Sequence, residues 1–185
     1  MKNPMAQNYL QNSFIVASAA FAISLGLTHG VSAQCNVWEP VGAGTDSTVN
    51  TFAVFNNQLI VGGLFSSAGG LPVNKVASWH GSWWEAMGSP APSATSVLDL
   101  EVYNNQLTVG LGLSGSVKLW TGSSWQTIGS AIGMGSEVGA LCVYNNELIA
   151  GGSYVSIGGV NTPNIARWNG SIWQSLGNGL PARVI

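Results

Sequence analysis

Trp79-His80-Gly81-Ser82-Trp83-Trp84, Trp120-Thr121-Gly122-Ser123-Ser124-Trp125 and Trp168-Asn169-Gly170-Ser171-Ile172-Trp173 are three copies of one phrase. Two tryptophans flank a turn containing Gly-Ser, and a glycine follows four residues after the last tryptophan, at Gly88, Gly129 and Gly177. Trp38 and Gly42 form a partial fourth copy. Working outward, paired asparagines recur in step at Asn56-Asn57, Asn104-Asn105 and Asn145-Asn146, 48 and 41 residues apart. Self-similarity at that period marks a repeat architecture.

The unequal spacing has one source. Gly62 to Trp79 and Gly151 to Trp168 are each 17 residues, whereas Gly110 to Trp120 is 10. The second unit lacks a seven-residue insertion that the others carry within Leu64 to Val76 and Ser153 to Ile165. Loops tolerate such a loss and strands do not, so the insertion reads as a loop. Each unit then resolves into four short strands. Strand one is Val49 to Phe55, Val97 to Tyr103 and Val138 to Tyr144, with apolar residues in both alternating registers, which suits burial on two faces. The Asn-Asn pair turns the chain, because Asn tolerates positive φ. Strand two is Leu59 to Gly62, Leu107 to Gly110 and Leu148 to Gly151. Strand three closes on Trp79, Trp120 or Trp168, and a tight turn at His80-Gly81, Thr121-Gly122 or Asn169-Gly170 leads into strand four.

Four strands per repeat of this length is the size of one β-propeller blade. The expected fold is therefore all-β: a partial β-propeller of about three four-stranded antiparallel blades, an incomplete ring. Its units run about 43–88, 89–129 and 130–177, with partial units at both ends. Seven tryptophans (Trp38, Trp79, Trp84, Trp120, Trp125, Trp168, Trp173) hold recurring positions and read as blade-to-blade core. A buried Trp removes roughly 150–250 Å² from water, about 4–6 kcal/mol gross. Trp83 is the exception, its equivalents being Ser124 and Ile172, which makes it a candidate ligand-stacking surface or plain packing beside Met87. Gly62-Gly63 and Gly151-Gly152 fall where a neighbouring backbone must approach or φ must be positive.

The first 33 residues read as a secretory signal: Lys2, then an uncharged apolar run from Phe14 to Leu27, then Val31-Ser32-Ala33 with cleavage after Ala33. The run is shorter than the ~20 residues of a membrane span, so no span is expected after signal removal. Gln34 before Cys35 argues against a lipid-modified cysteine. The remaining 34–185 are expected to be secreted or at the cell surface. The whole chain carries five Lys and Arg against seven Asp and Glu, a net charge of −2. Only four of those bases follow Ala33, and without a basic patch nucleic acid is not an expected partner. Cys35 and Cys142 allow one disulfide or two free thiols; the spacing demands neither.

Chemistry is sparse. His80, the single histidine after Ala33, reads as a solvated turn residue, with no G-x-S-x-G beside it. Asp99 and Glu101, two apart on one side of strand one and unmatched in other units, are the remaining candidates for a special site, with an ordinary exposed face as the alternative. Calcium loops, zinc spacings and phosphate-cradling glycine motifs are missing from the sequence. No catalytic residue, metal ligand or cofactor is expected.

The phrases Ala166-Arg167-Trp168-Asn169-Gly170-Ser171, Leu176-Gly177 and Leu59-Ile60-Val61-Gly62-Gly63, continuing through Phe65 to Gly69-Gly70, carry a resemblance. They resemble the kelch-like repeats of secreted bacterial surface proteins and of the fungal cortical cell-polarity marker family. The resemblance runs from Trp38 to the C-terminus. It departs from ordinary kelch repeats in the distance from the double glycine to Trp79 or Trp168, and in Gly110-Leu111-Gly112, where the double glycine is lost. It implies a propeller, an extracellular location, and binding or scaffolding of protein or glycan. The alternative is a partial propeller from a larger secreted carbohydrate-active enzyme, galactose-oxidase-like. Trp38 to Gly42 aligns with strand four alone and Val184-Ile185 with the start of strand one. Three units fall short of the roughly four blades of known rings, so the expectation is a fragment of a longer protein or self-association through open blade edges.

Overall fold

The computed structural model describes residues 40–90 and 95–184. The segment 1–33 with its cleavage position Ala33, together with Cys35, Trp38 and Ile185, lies outside the described residues. Those that are described form strands and turns, with no helix among them.

The first sheet is β1 (Val49–Phe55), β2 (Gln58–Gly63), β5 (Val76–Trp79) and β6 (Trp84–Ala86), in that order and antiparallel throughout. Between β2 and β5 lies a separate hairpin, β3 (Ser67–Ala68) with β4 (Leu71–Pro72). The second sheet is built from β7 (Val97–Tyr103), β8 (Gln106–Leu111), β9 (Ser116–Trp120) and β10 (Trp125–Ile132). The third is β11 (Glu137–Tyr144), β12 (Glu147–Ser153), β15 (Ile165–Trp168) and β16 (Trp173–Ser175), with the hairpin β13 (Ser156–Ile157) and β14 (Val160–Asn161) between β12 and β15. The chain is thus an all-β domain of several antiparallel sheets, and among the described residues each sheet has two free edges rather than closing on itself.

Local chemistry sets the turns. Each asparagine pair holds two successive left-handed residues, with φ 50 and 61° at Asn56 and Asn57, 48 and 58° at Asn104 and Asn105, and 50 and 61° at Asn145 and Asn146. Two positive φ values at the centre of a two-residue loop match the twist of the flanking strands. The tryptophan phrase turns one residue later than the sequence reading had it. Trp79 pairs with Trp84, Trp120 with Trp125 and Trp168 with Trp173. The loop between them has four residues, with Gly81, Gly122 and Gly170 taking the positive φ at its centre.

The insertion expected as a plain loop is a hairpin that reaches back to the end of β10. Ile157 and Ser156 pair with Ala131 and Ile132, because β10 runs on past Gly129 and offers them an edge. Consequently the second sheet has six strands rather than four, in the order β14-β13-β10-β9-β8-β7. Ala68 of the first hairpin likewise bridges to Thr45, ahead of β1.

Successive sheets meet through their first strands: β1 packs on β7, and β7 on β11. Ile60, Val76, Leu100, Leu107 and Val109 are buried between the first and second sheets. Tyr103, Val117, Leu141, Leu148 and Ala150 fill the space between the second and third. A further cluster with Val61, Phe65 and Trp84 lies on the other side of the first sheet. Glycine makes the approach possible. A Cβ on Gly62 would stand 2.6 Å from a Val97 methyl, one on Gly110 2.7 Å from the Val138 carbonyl oxygen, and one on Gly151 2.8 Å from a Val184 methyl. On Gly63 and Gly152 it would strike the carbonyl oxygens of Thr48 and Glu137. None of Gly62, Gly63, Gly151 or Gly152 has a positive φ, so close approach is the reason for them: of side chains at Gly62 and Gly151, of backbone at Gly63 and Gly152.

Candidate functional site

The recurring tryptophans form a repeated clamp between units. Within each phrase the two indoles lie 5.1 to 5.5 Å apart, tilted by 48 to 51°. The later indole N–H donates to a carbonyl in the preceding unit: Trp84 to Val41 at 3.3 Å, Trp125 to Met87 at 2.6 Å, and Trp173 to Ile128 at 2.7 Å. Each acceptor directly precedes the glycine of the earlier phrase. A Cβ on Gly129 would overlap Nε1 of Trp173 and one on Gly42 would stand 3.2 Å from Nε1 of Trp84, whereas at Gly88 the nearest ring atom would be 3.6 Å away, an ordinary contact. A buried indole thereby gains its polar partner. The recurring Gly four residues after Trp carried this signal; its partner in the next unit was not readable.

Asp99 holds three first strands together. Its Oδ1 accepts from the Thr51 hydroxyl at 2.9 Å on β1, and its Oδ2 accepts from the Leu141 amide at 2.7 Å on β11. The Leu100 amide donates to both Thr51 Oγ1 and Asp99 Oδ1. The position follows a β-bulge that recurs in all three first strands, between Val49 and Thr51, Val97 and Asp99, and Val138 and Ala140. Thr51 and Asp99 thus perform the same task for successive interfaces. Glu101 turns back onto its own strand, where Oε1 accepts from the Val102 amide at 2.9 Å. The two carboxylates are committed separately.

His80 is largely covered rather than a solvated turn residue, its side chain only 18% exposed. Its ring stacks on Trp83 at 3.9 Å with the planes 4° apart. Gln58 Nε2 lies 2.9 Å from Nδ1, while Glu85 Oε2 and Ser78 Oγ lie 2.8 and 3.2 Å from Nε2. With the Gln58 amide donating to Nδ1, the ring proton sits on Nε2, facing Glu85. Ser78 then meets a protonated nitrogen and has no base to activate it, unlike the serine of a catalytic triad. Trp83 packs on His80 and is 51% exposed. His80 and Trp83 have no counterparts in the other units, where Thr121 and Ser124 or Asn169 and Ile172 stand instead.

The remaining acids among the described residues are also engaged. Asp46 accepts from the Ser66 hydroxyl at 2.6 Å and from the amides of Ser66 and Ser67 at 2.8 and 2.9 Å. Led by the Ser66 hydroxyl, these bonds hold its carboxyl down from 3.8 to about 2. They fasten the chain ahead of β1 to the β3–β4 hairpin. Glu147 pairs with Arg167 at 3.2 Å and Glu137 with Arg183 at 3.6 Å. Tyr154 donates to the Ala150 carbonyl at 2.6 Å, and burial pushes its hydroxyl above the ordinary tyrosine range.

Cys142 is an exposed free thiol. Among the described residues no group of three or more His, Cys, Asp or Glu is placed to hold a metal ion, and no helix is long and apolar enough to cross a membrane. An open apolar cleft of about 330 Å³ lies on the first sheet, lined by Val41, Phe52, Leu59, Val61 and Trp84 among others. No protein-family model matches the chain, and no curated protein matches it.

Proposed function

We propose that this chain is a kelch-like β-propeller repeat module, secreted or displayed at the cell surface, that recognises protein or glycan and catalyses nothing. The blade reading is supported by sheets that meet first strand to first strand, with an indole clamp repeated between units. In that reading the insertion hairpins are rim elements. The observation that carries the non-catalytic part is the commitment of the titratable groups. Asp99 ties three strands, Asp46 anchors a hairpin, and the His80 proton faces Glu85. The recognition surface is Trp83, which rests one ring face on His80 and is half exposed, with the Glu85 carboxylate beside it. An aromatic plane flanked by polar groups suits a sugar ring or an apolar side chain.

A glycan array and affinity capture from extracellular extract, each run with the native chain and with Trp83→Ala, test this reading. Binding that falls at least tenfold in Trp83→Ala is expected. Glycoside hydrolysis or alcohol oxidation by the purified chain, lost on His80→Ala or Asp99→Asn, would overturn it.

A further inference from the structure

Among the described residues the two outer faces of the sheet stack are uncovered, and they are opposite halves of the interface already used twice between the sheets. Phe52, Leu100 and Leu141 are equivalent residues pointing towards the preceding sheet. Leu100 and Leu141 are 5% and 7% exposed, but Phe52, with no sheet ahead of β1 among the described residues, is 63% exposed. Phe55, Tyr103 and Tyr144 are equivalent and point towards the following sheet. Tyr103 is 3% exposed under the third sheet, whereas Tyr144, with no further sheet over it among the described residues, is 65% exposed. Val54 and Cys142 extend these two faces and are likewise exposed.

Small seats on each face show what they accept. Val97, Val138 and Val184 lie over Gly62, Gly110 and Gly151. Val49 is the equivalent valine of β1, and among the described residues no glycine of an earlier unit lies beneath it. Val41-Gly42, Met87-Gly88 and Ile128-Gly129 each receive an indole. Leu176-Gly177 is the equivalent pair, and nothing lies within 4 Å of a Cβ placed on Gly177. The unmatched valine and the unmatched Leu-Gly pair stand at opposite ends of one chain.

We infer that a second copy of this chain docks head to tail, with the Tyr144 face of one protomer on the Phe52 face of the other. The interface repeats the internal one. Val49 of the second copy replaces Val184 over Gly151, and Leu176-Gly177 replaces Val41-Gly42 against Trp84 in the partner. Val184 is held by a backbone bond to Gly152 at 2.9 Å beside the Arg183–Glu137 pair at 3.6 Å, and residues 40–42, exposed throughout, by the Gly44 amide and the longest of the three indole bonds, both to the Val41 carbonyl. Head-to-tail contacts form closed rings when the rotation closes. Two copies bring six sheets, inside the range of about four to eight blades that close a propeller. The inference concerns the sheet faces and is independent of the ligand proposed at Trp83.

Light scattering across a concentration series, with Phe52→Asp, Tyr144→Asp and their equimolar mixture beside the native chain, tests it. Both positions are exposed in the single chain, so both variants keep the native far-UV circular dichroism. The native chain is expected at twice the chain mass, each variant alone at the single mass, and the mixture at twice the mass. The mixture pairs because each variant retains the face that the other has lost. In a Cys35→Ser background, Val54→Cys is expected to cross-link to Cys142 of the other copy under mild oxidation. A native chain that stays at single mass at 100 µM, a mass that climbs without limit, or one variant that still pairs with itself would overturn the inference.

Discussion

Replacing Gly129 with alanine isolates the clamp between the second and third units. Gly42, Gly88 and Gly177 take left-handed φ values of 58, 65 and 62°, but Gly129 does not, so alanine there meets no backbone strain. It meets Trp173 instead. The new Cβ would overlap Nε1 and stand 2.8 Å from Cε2 of a ring that is buried and bonded to Ile128. Overpacking of this kind costs about 1–3 kcal/mol, and parting the indole N–H from its acceptor in a buried site adds about 1 kcal/mol or more. The expected loss is therefore about 2–4 kcal/mol. Urea unfolding followed by far-UV circular dichroism measures it without relying on tryptophan emission. Trp173→Phe removes the indole N–H and relieves the overlap, so Gly129→Ala should cost about 1–2 kcal/mol less in that background. Gly177→Ala, in the same phrase position but facing no ring, should lose only ~1 kcal/mol through its positive φ. A Gly129→Ala chain within about 0.5 kcal/mol of native, or a cost unchanged by Trp173→Phe, would refute the clamp.

Asp99→Ala leaves the Leu141 amide without its acceptor and should lower unfolding free energy by about 2 kcal/mol in the same assay, whereas Thr51→Ala should lose about 1 kcal/mol. Asp46 contributes stability that is fully present above its ordinary 3.8 and is lost as pH falls towards about 2, since its folded value is depressed. Thermal melts between pH 2 and 6 should lose that part of their slope in Asp46→Asn; an unaltered slope would dismiss the hairpin anchor. Asn146→Ala, at φ 61°, should destabilise by ~1 kcal/mol while Asn146→Gly stays within about 0.5 kcal/mol of native.

Strand limits were legible because strong turn residues punctuate them. β1 and β7 end at Phe55 and Tyr103, where the asparagine pairs compel a reversal. The hairpins β3–β4 and β13–β14 were not legible, since two-residue strands carry no periodicity. Their partners, Thr45 and the end of β10, lie far off in sequence. Asp99 stood out as unmatched, but its role depends on a bulge and on a backbone amide 42 residues away. Trp83 stood out for the same reason, and its stacking on His80 depends on a four-residue loop that the sequence reading had placed one residue early. The glycine pairs disclosed a close approach without disclosing that the first of each pair faces the next unit and the second its own first strand.

Nuclear Overhauser contacts from the indole N–H protons of Trp84, Trp125 and Trp173 to the α-protons of Gly42, Gly88 and Gly129 test the stacked-sheet account most directly. The account predicts all three cross-peaks, together with contacts from the Val97 and Val138 methyl groups to the α-protons of Gly62 and Gly110. Indole protons that exchange freely with water and show contacts only within their own unit would contradict it.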